Sequence, residues 1–221
     1  MRVLSICTGM GLLDRAFLDA GYEVLPGCEI DPEQRELYRQ LCGGEPLTHD
    51  IIDLIQLIRN SPLEVDGVIG GPPCQSHTKL KARWKPRFPD LTSDVNEVLD
   101  AVKPRWYLFE NVAQINIPGG QHVKLDAMHF ARPHQSRPRW FTYSENLIPP
   151  KPLYQGDVNE LLAYPGVYGK LYGPKRASVL QGYPAASQLS ALSVVLQRGI
   201  ANAVHYRLAQ AWAEVIWEGI T

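Results

Sequence analysis

The sequence has few cysteines, and none of them stand in closely spaced pairs. Four are spread over 221 residues without the two-residue spacing of zinc and redox motifs: Cys7, Cys28, Cys42 and Cys74. We therefore expect no metal centre and no disulfide framework, and a reduced, cytoplasmic setting. Histidine offers no better metal set, because no helical turn can hold two of the three central histidines with a carboxylate between them: His122, His129 and His134.

Long apolar runs are also missing. No stretch approaches the length that crosses a membrane, and the N-terminal MRVLSICTGMG lacks the parts of a signal peptide. These absences exclude membrane and secreted classes, and we expect a soluble chain without a membrane partner. Net charge is −1 at pH 7, so no general field marks a nucleic-acid binder, and any basic surface must be local.

The length and composition suit one folded domain. The 221 residues, 45% of them hydrophobic and 20% charged, are enough to bury a substantial core. No internal repeat or low-complexity tract divides the chain, and the 18 prolines cluster mainly outside the expected strands, at 62–89 and 133–184. We predict a single domain over residues 1–221, with long ordered loops rather than a linker.

Expected strands and helices alternate along the chain. The stretches VLSIC, YEVLPGCEID, VDGVIGG and RWYLFENV are typical of buried strands. Helical patterns run from Leu12 to Gly21, from Pro32 to Gly43 and through IIDLIQLIRN after Asp50. This alternation predicts an α/β fold with a doubly wound, mostly parallel sheet that binds ligands at the carboxyl ends of its strands.

A last helix is expected in NAVHYRLAQAWAEVI, near the end of the chain. The helix would begin at about Asn202, and its apolar residues share one helical stripe: Val204, Leu208, Ala211, Trp212 and Val215. An apolar stripe of this kind faces the core of a globular domain.

Two glycines and two acidic residues follow the first expected strands. Gly9 and Gly11 let the backbone approach a ligand at a helix N-terminus. Glu29 ends the next strand, where a carboxylate accepts hydrogen bonds from both hydroxyls of a ribose, and Asp50 is placed to accept one from an adenine amino group. Neighbouring residues would supply apolar walls for a flat base: Ile30 and Ile51. The pattern predicts a nucleoside-containing cofactor.

A cysteine, a carboxyl group and two arginines mark a second site. Cys74 follows the strand VDGVIG, and Pro72 with Pro73 restricts the turn that aims its sulfur. Glu110 closes the strand WYLF, where a carboxyl group at the edge of an apolar pocket holds its proton more tightly, as an acid catalyst must. In QSRPRWF two arginines fall on the same side of a strand: Arg137 and Arg139.

Six short motifs occur in a fixed order: TGMG, PPCQ, ENV, QSRPR, LQGYP and ANAV. In this order they resemble the DNA cytosine-5 methyltransferases, from Val3 to about Ile216, and PPCQ with ENV and Q-x-R-x-R is a highly specific combination. The resemblance implies a class I S-adenosylmethionine-dependent methyltransferase fold, which is Rossmann-like. It also implies S-adenosyl-L-methionine as the cofactor and DNA as the partner, with the target base flipped out of the duplex.

The resemblance further implies a role for each candidate residue. Cys74 would be the nucleophile that adds to carbon 6 of cytosine, and Glu110 would protonate or hydrogen-bond ring nitrogen 3. Arg137, grouped with Arg139, would bind near the base carbonyl and orient Glu110. The implied cofactor contacts are Thr8, Gly9, Gly11, Leu12, Glu29, Ile30, Asp50, Ile51, Pro72, Asn202, Ala203 and Val204.

The stretch KLKARWKPRF, just after Cys74, combines five cations with two aromatic residues and has no acid before Asp90. An ordinary solvated loop has a similar composition, but next to Cys74 this stretch favours phosphate contacts and base stacking. The predicted nucleic-acid contacts are Gln75, Ser76, Lys79, Lys81, Arg83, Lys85, Arg87, Gln135 and Arg176.

Several positions depart from the family pattern. Ser5 and Cys7 stand where the family has an acidic residue and an aromatic, and Ala201 replaces the glycine expected before the asparagine of the last motif. The interval 141–175 holds 35 residues in place of a target-recognition domain. Three alternatives stay open: a minimal DNA methyltransferase, the same chemistry on RNA, single-stranded DNA or a cytosine nucleotide, and a degenerate module that binds DNA or protein without catalysis.

Overall fold

The structure of the chain is a computed structural model that describes residues 1–73, 89–131, 136–154 and 174–220. The strands in these ranges are β1 (Arg2–Ile6), β2 (Glu23–Cys28), β3 (Gly67–Gly70), β4 (Trp106–Asn111), β5 (Gln121–Asp126) and β6 (Pro138–Tyr143). The helices are α1 (Leu12–Asp19), α2 (Pro32–Cys42), α3 (Ile51–Asn60), α4 (Thr92–Val102), α5 (Pro174–Leu180), α6 (Ser193–Asn202) and α7 (Tyr206–Ile220). Within the same ranges, none of the helices is long and apolar enough to span a bilayer.

The six strands form one sheet with the order β2–β1–β3–β4–β6–β5. β1 pairs in parallel with β2 and β3, and β3 pairs in parallel with β4. β6 runs antiparallel to both β4 and β5, so it alone opposes the other five strands of this sheet. The predicted mostly parallel sheet is confirmed. The carboxyl ends of β1 to β4 therefore meet at one edge, together with the start of β6.

β2 lies at one edge of the sheet, and this position explains how the strand holds a proline. Pro26 has no N–H to donate, so it is tolerated where no further strand needs that hydrogen bond. The Pro26 carbonyl accepts a hydrogen bond of 2.9 Å from the Leu47 N–H in the loop after α2. Thr48 forms an isolated parallel bridge with Cys28 on the same side. These contacts cover part of the outer side of β2.

The helix boundaries follow capping residues that are visible in the sequence. Asp31 accepts a backbone N–H of the first turn of α2, Pro32 opens the helix, and Gly43 ends it with φ at 74°. Asp50 caps α3 by accepting the Ile52 N–H at 2.8 Å. The predicted boundaries of these two helices are confirmed.

Apolar side chains pack on both faces of the sheet. On one face, α1 and α7 share a core with the sheet around Phe17, Trp106 and Trp212. On the other face, α3 and α4 pack on the central strands through residues such as Ile55 and Val95. Helices on both faces make the sheet doubly wound, as predicted. A third apolar cluster joins α2, α5 and α6.

The end of the chain differs from the predicted single helix. Asn202 is the last residue of α6, Ala203 is extended, and α7 begins only at Tyr206. Two residues of the predicted stripe are buried in α7, Leu208 and Trp212, and two only pack at its margin, Ala211 and Val215. The buried face is completed by neighbouring positions instead: Ala209, Ala213 and Ile216. The break arises because backbone carbonyls at 200–203 accept hydrogen bonds from side chains outside the helix.

Candidate active site

The loop between β1 and α1 presents backbone groups to open space. Thr8, just after β1, donates its N–H to the Cys28 carbonyl at the end of β2, at 3.2 Å. Gly9 and Gly11 have φ values of 56° and 91°, in the left-handed region that favours glycine. A Cβ on Gly11 would lie 2.7 Å from Cys42 Sγ, whereas a Cβ on Gly9 would meet nothing within 4 Å. Packing thus requires Gly11, and Gly9 borders a space that a ligand can enter.

Glu29 links this loop to the start of α2. Its Oε2 accepts the Gly9 N–H at 2.7 Å, and its Oε1 accepts the Asp31 N–H at 2.9 Å. Burial raises the pKa of this carboxyl group above its ordinary value, and the two backbone hydrogen bonds lower it in part. The carboxylate therefore stands beside the glycine loop, where the sequence predicts the acid that binds a ribose.

The two predicted apolar walls lie in different surroundings. Ile30 follows Glu29 and is 51% exposed, so its apolar side chain is accessible to a flat base. Ile51 is buried in the core beneath α3, because it lies on the inner face of that amphipathic helix. Asp50 uses its carboxylate to cap α3. Of these residues, Ile30 alone offers an exposed apolar side chain next to Glu29.

The other predicted cofactor contacts also divide into exposed and buried positions. Asn202 is exposed at the end of α6, and Ala203 is partly exposed. The remaining side chains are buried and shape the site from within: Thr8, Leu12, Pro72 and Val204. An open glycine loop, a carboxylate and an exposed isoleucine at one sheet edge fit a cofactor that contains a ribose and a flat base.

Glu110 and Arg139 form a buried ion pair at the carboxyl end of β4. Arg139 Nε lies 2.8 Å from Glu110 Oε1, and each side chain is only 9% exposed. Burial raises the pKa of Glu110 above its ordinary value, and the charges of Arg139 and then Arg137 lower it in part. The pair therefore holds the carboxyl group in one orientation, in surroundings that on balance shift its pKa upward.

The turn after β3 packs against the carboxyl end of β4, beside Glu110. Asn111 Nδ2 donates to the Pro72 carbonyl at 3.1 Å, and this contact is buried. A Cβ added to Gly71 would lie 3.9 Å from Glu110 Oε2. The chain thus brings Gly71 and Pro72 against the Glu110 end of β4, and Cys74 follows two residues later, outside the described residues.

Arg137 does not occupy the position predicted for it at Glu110. Its Nη2 donates to the carbonyls of Ala201 and Ala203, both at 2.8 Å, in the turn between α6 and α7. The arginine that pairs with Glu110 is Arg139. The contact with Glu110 that was predicted for Arg137 is therefore made by Arg139, while the charge of Arg137 still lowers the pKa of that carboxyl group.

The strand register explains which arginine reaches Glu110. In the antiparallel pair of β4 and β6, Phe141 lies directly opposite Glu110. Arg139 is the diagonal neighbour on the same face, within reach of a long side chain. Arg137 precedes the strand and lies about 7 Å further along it. The two-residue period of a strand places both arginines on one face. It does not specify how β6 aligns with β4, and this alignment decides which partner each arginine reaches.

Several predicted residues lie outside the described part of the chain: Cys74, Gln75, Ser76, Lys79, Lys81, Arg83, Lys85, Arg87 and Gln135. Arg176 belongs to α5. The roles assigned to these residues from the sequence stay predictions.

The thiols of Cys7 and Cys42 are poorly suited to nucleophilic chemistry. A hydrogen bond with Cys28, followed by burial, raises the pKa of Cys7, and burial raises the pKa of Cys42. A thiol with a raised pKa keeps its proton at neutral pH and is a weak nucleophile. Among the described residues, no cluster of three or more His, Cys, Asp or Glu side chains is arranged to hold a metal ion.

Ser5, one of the departures from the family pattern, has a partner inside the fold. Its Oγ donates to Asp14 Oδ1 at 2.7 Å, and both residues are fully buried. Burial raises the pKa of Asp14 to about 6, and hydrogen bonds with Ser5 and Tyr38 lower it in part. Asp14 escapes prediction from sequence, because an acid in the first turn of an amphipathic helix is usually solvated and favoured by the helix dipole.

Comparison with known proteins relates this architecture to a family. The family model described as "C-5 cytosine-specific DNA methylase" matches residues 1–128. The chain is 33% identical over 117 residues to the type II methyltransferase M.NgoPII of Neisseria gonorrhoeae, covering 51% of this chain and 33% of that protein. It is 33% identical over 115 residues to M.FnuDI of Fusobacterium nucleatum, covering 51% and 32%. The chain spans about a third of the length of these curated relatives.

The fold comparison covers the chain from end to end. The S. pombe Dnmt2 methyltransferase superposes with a TM-score of 0.70 at 14% identity, over 100% of this chain and 99% of that one. The likeness shows that the fold is that of the S-adenosylmethionine-dependent methyltransferases. Because the family model matches more than half of its residues, the chain belongs to the C-5 cytosine-specific DNA methylase family.

Proposed function

We propose that the chain transfers a methyl group to carbon 5 of cytosine in DNA. The observation that carries this proposal is the buried Glu110–Arg139 pair, with the Gly71–Pro72 turn packed against its end of the sheet. A carboxyl group with a raised pKa and a guanidinium beside it suit the ring nitrogen and carbonyl of a pyrimidine. Family membership supports the same reaction.

S-adenosylmethionine is the proposed cofactor. The residues that would hold it are the Gly9 loop, Glu29 at the ribose hydroxyls, Ile30 against the adenine and Asn202 at the end of α6. When bound, this cofactor supplies an electrophilic methyl group on a sulfonium. The fit rests on the open space beside Gly9 and on the placement of the Glu29 carboxylate next to that loop.

The protein groups prepare the base for this methyl group. Carbon 5 of cytosine is a poor nucleophile, and the Cys74 thiolate corrects this by forming a bond to carbon 6, which moves electron density toward carbon 5. Glu110 places a proton at ring nitrogen 3, where negative charge would otherwise develop, and Arg139 keeps that carboxyl group oriented. After methylation, a base removes the proton on carbon 5, the bond to sulfur breaks, Cys74 leaves as a thiolate, and ring nitrogen 3 returns its proton to Glu110.

The proposed substrate is duplex DNA with the target base flipped out, since carbon 6 is inaccessible inside the base stack. The basic residues at 79–87 would contact the phosphates of the attacked strand. Between β6 and α5 the chain has only residues 144–173, too few for an independent recognition core. We therefore propose short or relaxed sequence recognition.

Methyl transfer from labelled S-adenosylmethionine to duplex DNA, single-stranded DNA and RNA, assayed side by side, tests the proposal. We expect transfer to duplex DNA with 5-methylcytosine as the product. Cys74→Ala should abolish transfer and leave cofactor affinity near that of the wild type. Glu110→Gln should slow transfer by about a hundredfold or more, because proton donation is lost.

Glu97→Gln is the matched control for Glu110→Gln, since Glu97 is a half-exposed carboxylate that pairs with Arg59 at a distance from the site. We expect this variant to keep the wild-type rate. Unchanged transfer by the Cys74 variant would contradict the chemistry, and transfer to RNA alone would contradict the substrate. DNA binding without any transfer would instead favour the non-catalytic module.

A further inference from the structure

Two family motifs from distant parts of the sequence converge on the turn between α6 and α7. Arg137, in QSRPR, donates from Nη2 to the carbonyls of Ala201 and Ala203, both at 2.8 Å. Gln181, in LQGYP, donates from Nε2 to the carbonyls of Ile200 at 2.5 Å and Ala203 at 3.2 Å. Both donors are buried, at 1% and 0% exposure. The turn is therefore held by side chains rather than by continued helical bonding.

The backbone end of Arg137 is fixed as firmly as its side chain. Its N–H donates to Asp126 Oδ1 at 2.6 Å, and Ser136 Oγ donates to Asp126 Oδ2 at 3.0 Å. The same Oδ1 caps the short helix after β5 by accepting the Met128 N–H at 3.1 Å. Arg137 thus spans from the β5–β6 corner to the α6–α7 turn as a buried brace.

The brace lies between the proposed cofactor side of the site, at Asn202, and the proposed base side, at Glu110. Asn202 stands between the two carbonyls that Arg137 holds, and its exposed position at the end of α6 is where the last motif would meet the cofactor. Two residues beyond Arg137, Arg139 pairs with Glu110 on the base side. The segment 137–139 therefore contacts both sides of the site: Arg137 holds the turn beside Asn202, and Arg139 pairs with Glu110.

We propose that Arg137 is a positioning residue for the cofactor side of the site: it holds the α6–α7 turn, and with it Asn202, in the binding position. The inference rests on the proposed function and assigns the direct contact with Glu110 to Arg139. Arg137 then acts through backbone carbonyls and not through the cytosine. A guanidinium suits this task, because its Nη2 can donate to two acceptors at once while the group stays charged and buried.

Three measurements on the full-length chain separate this role from a role at the base. Hydrogen exchange reports the amides around the turn, including those of Ala203 and Tyr206, which donate to Gly199 and Gln181. Calorimetry with S-adenosylhomocysteine reports cofactor affinity. The pH dependence of single-turnover methyl transfer reports Glu110. The variants are Arg137→Gln, Arg137→Lys and Arg139→Gln, with Arg59→Gln as an exposed control that loses only its pairing with Glu97.

For Arg137→Gln we expect about tenfold faster exchange at the turn and about tenfold weaker S-adenosylhomocysteine binding, since hydrogen bonds from a charged donor to two carbonyls are lost. The pH at which the rate falls should move up less than in Arg139→Gln, because the charge of Arg137 lowers the pKa of Glu110 less than that of Arg139 does. Arg137→Lys should show smaller losses of the same kind, because a shorter ammonium reaches the two carbonyls less well. Arg139→Gln should move the pH profile further and should leave cofactor affinity near that of the wild type.

Wild-type exchange rates at the turn in Arg137→Gln would overturn the brace. So would unchanged cofactor affinity combined with a pH shift as large as that of Arg139→Gln, which would return Arg137 to the base. If Arg137→Gln does not fold, Arg137→Lys decides, and unchanged exchange and affinity in that variant count against the proposal. A wild type that transfers no methyl group, but whose Arg137 variants lose the turn and the cofactor as described, would refute the proposed reaction and still support the brace.

Discussion

Two buried carboxyl groups, on Glu110 and Asp14, have pKa values above their ordinary ranges because both are desolvated. Their partners differ. Glu110 faces the charge of Arg139, which lowers its pKa in part, whereas Asp14 is met by neutral hydroxyl groups. The first arrangement suits proton donation to a substrate. The second has no part in the proposed chemistry and reduces stability when the group ionises.

Methyl transfer should slow as pH rises through the pKa of Glu110, because ring nitrogen 3 requires the protonated carboxyl group. Arg139→Gln removes the larger of the two charges that lower this pKa. We therefore expect the descending limb of the rate–pH profile to move to higher pH, together with a lower maximum rate, because orientation is lost. Single-turnover rates across pH check this. A limb that stays in place or moves to lower pH would speak against Glu110 as the donor.

Asp14→Asn should stabilise the fold at neutral pH. The folded pKa of about 6 exceeds the ordinary 3.8, so the folded chain binds more protons than the unfolded chain between these values. The contribution of this group to the free energy of unfolding is therefore greatest below about pH 4, and it decreases as the pH rises toward 6. Asparagine keeps an acceptor for Ser5 and removes the charge, so we expect the free energy of unfolding at pH 7 to rise by about 1–3 kcal/mol.

Denaturant unfolding of Asp14→Asn and wild type at pH 4.5 and pH 7 measures this difference. Asp53→Asn, an exposed change in the first turn of α3, serves as the control and should lower stability by about 0.3–1 kcal/mol at most, at both pH values, because its charge interacts favourably with the helix dipole. A variant that is less stable than wild type at pH 7 would show that the Asp14 charge is compensated in the fold.

Candidate side chains at strand ends can be found from sequence, but their partners cannot. Glu29 and Glu110 lie at the carboxyl ends of β2 and β4, as the strand patterns predicted, and their roles stay predictions. The partner of Glu110 depends on how β6 aligns with β4, and a period of two is the same in every alignment. The Ser5–Asp14 contact depends on the packing of α1 against β1, which no local pattern records.

The starts of α2 and α3 could be predicted from local sequence signals. Both begin at an aspartate whose side chain accepts a backbone N–H of the first turn, at Asp31 and Asp50. These caps are readable in the sequence because the side-chain acceptor and the backbone N–H donor lie two residues apart. The break between α6 and α7 was missed for the opposite reason: its carbonyls are held by Arg137 and Gln181, which are far away in sequence or in another element.

Asp50 has two candidate tasks, and two substitutions separate them. Asp50→Ala removes the cap of α3 and should lower the free energy of unfolding by about 1 kcal/mol. Asp50→Asn keeps a capping oxygen and should leave stability near the wild-type value. If Asp50 also accepts a hydrogen bond from adenine, both variants should weaken S-adenosylhomocysteine binding. Denaturant unfolding and calorimetry on both variants check this, and equal stability of Asp50→Ala and wild type would contradict the capping role.

Across the chain, the alternation of strands and helices was enough to predict the architecture. The parallel strands β1 to β4 bring their carboxyl ends to one edge, so Gly9, Glu29, Pro72 and Glu110 lie there although they are far apart in sequence. The antiparallel β6 then adds its own start to that edge, which delivers Arg139. Long-range order of this kind follows from topology and not from local propensity.

Covalent trapping on DNA tests most directly whether these segments meet around one cytosine. A duplex with 5-fluorocytosine at the target position lacks the proton that must leave carbon 5, so the bond between sulfur and carbon 6 cannot be broken after methylation. With S-adenosylmethionine present, we expect a stable protein–DNA adduct whose peptide map places the attachment at Cys74, strongly reduced in Glu110→Gln and absent in Cys74→Ala. Attachment at another residue, or no adduct from a chain that binds both the duplex and the cofactor, would contradict the proposed reaction.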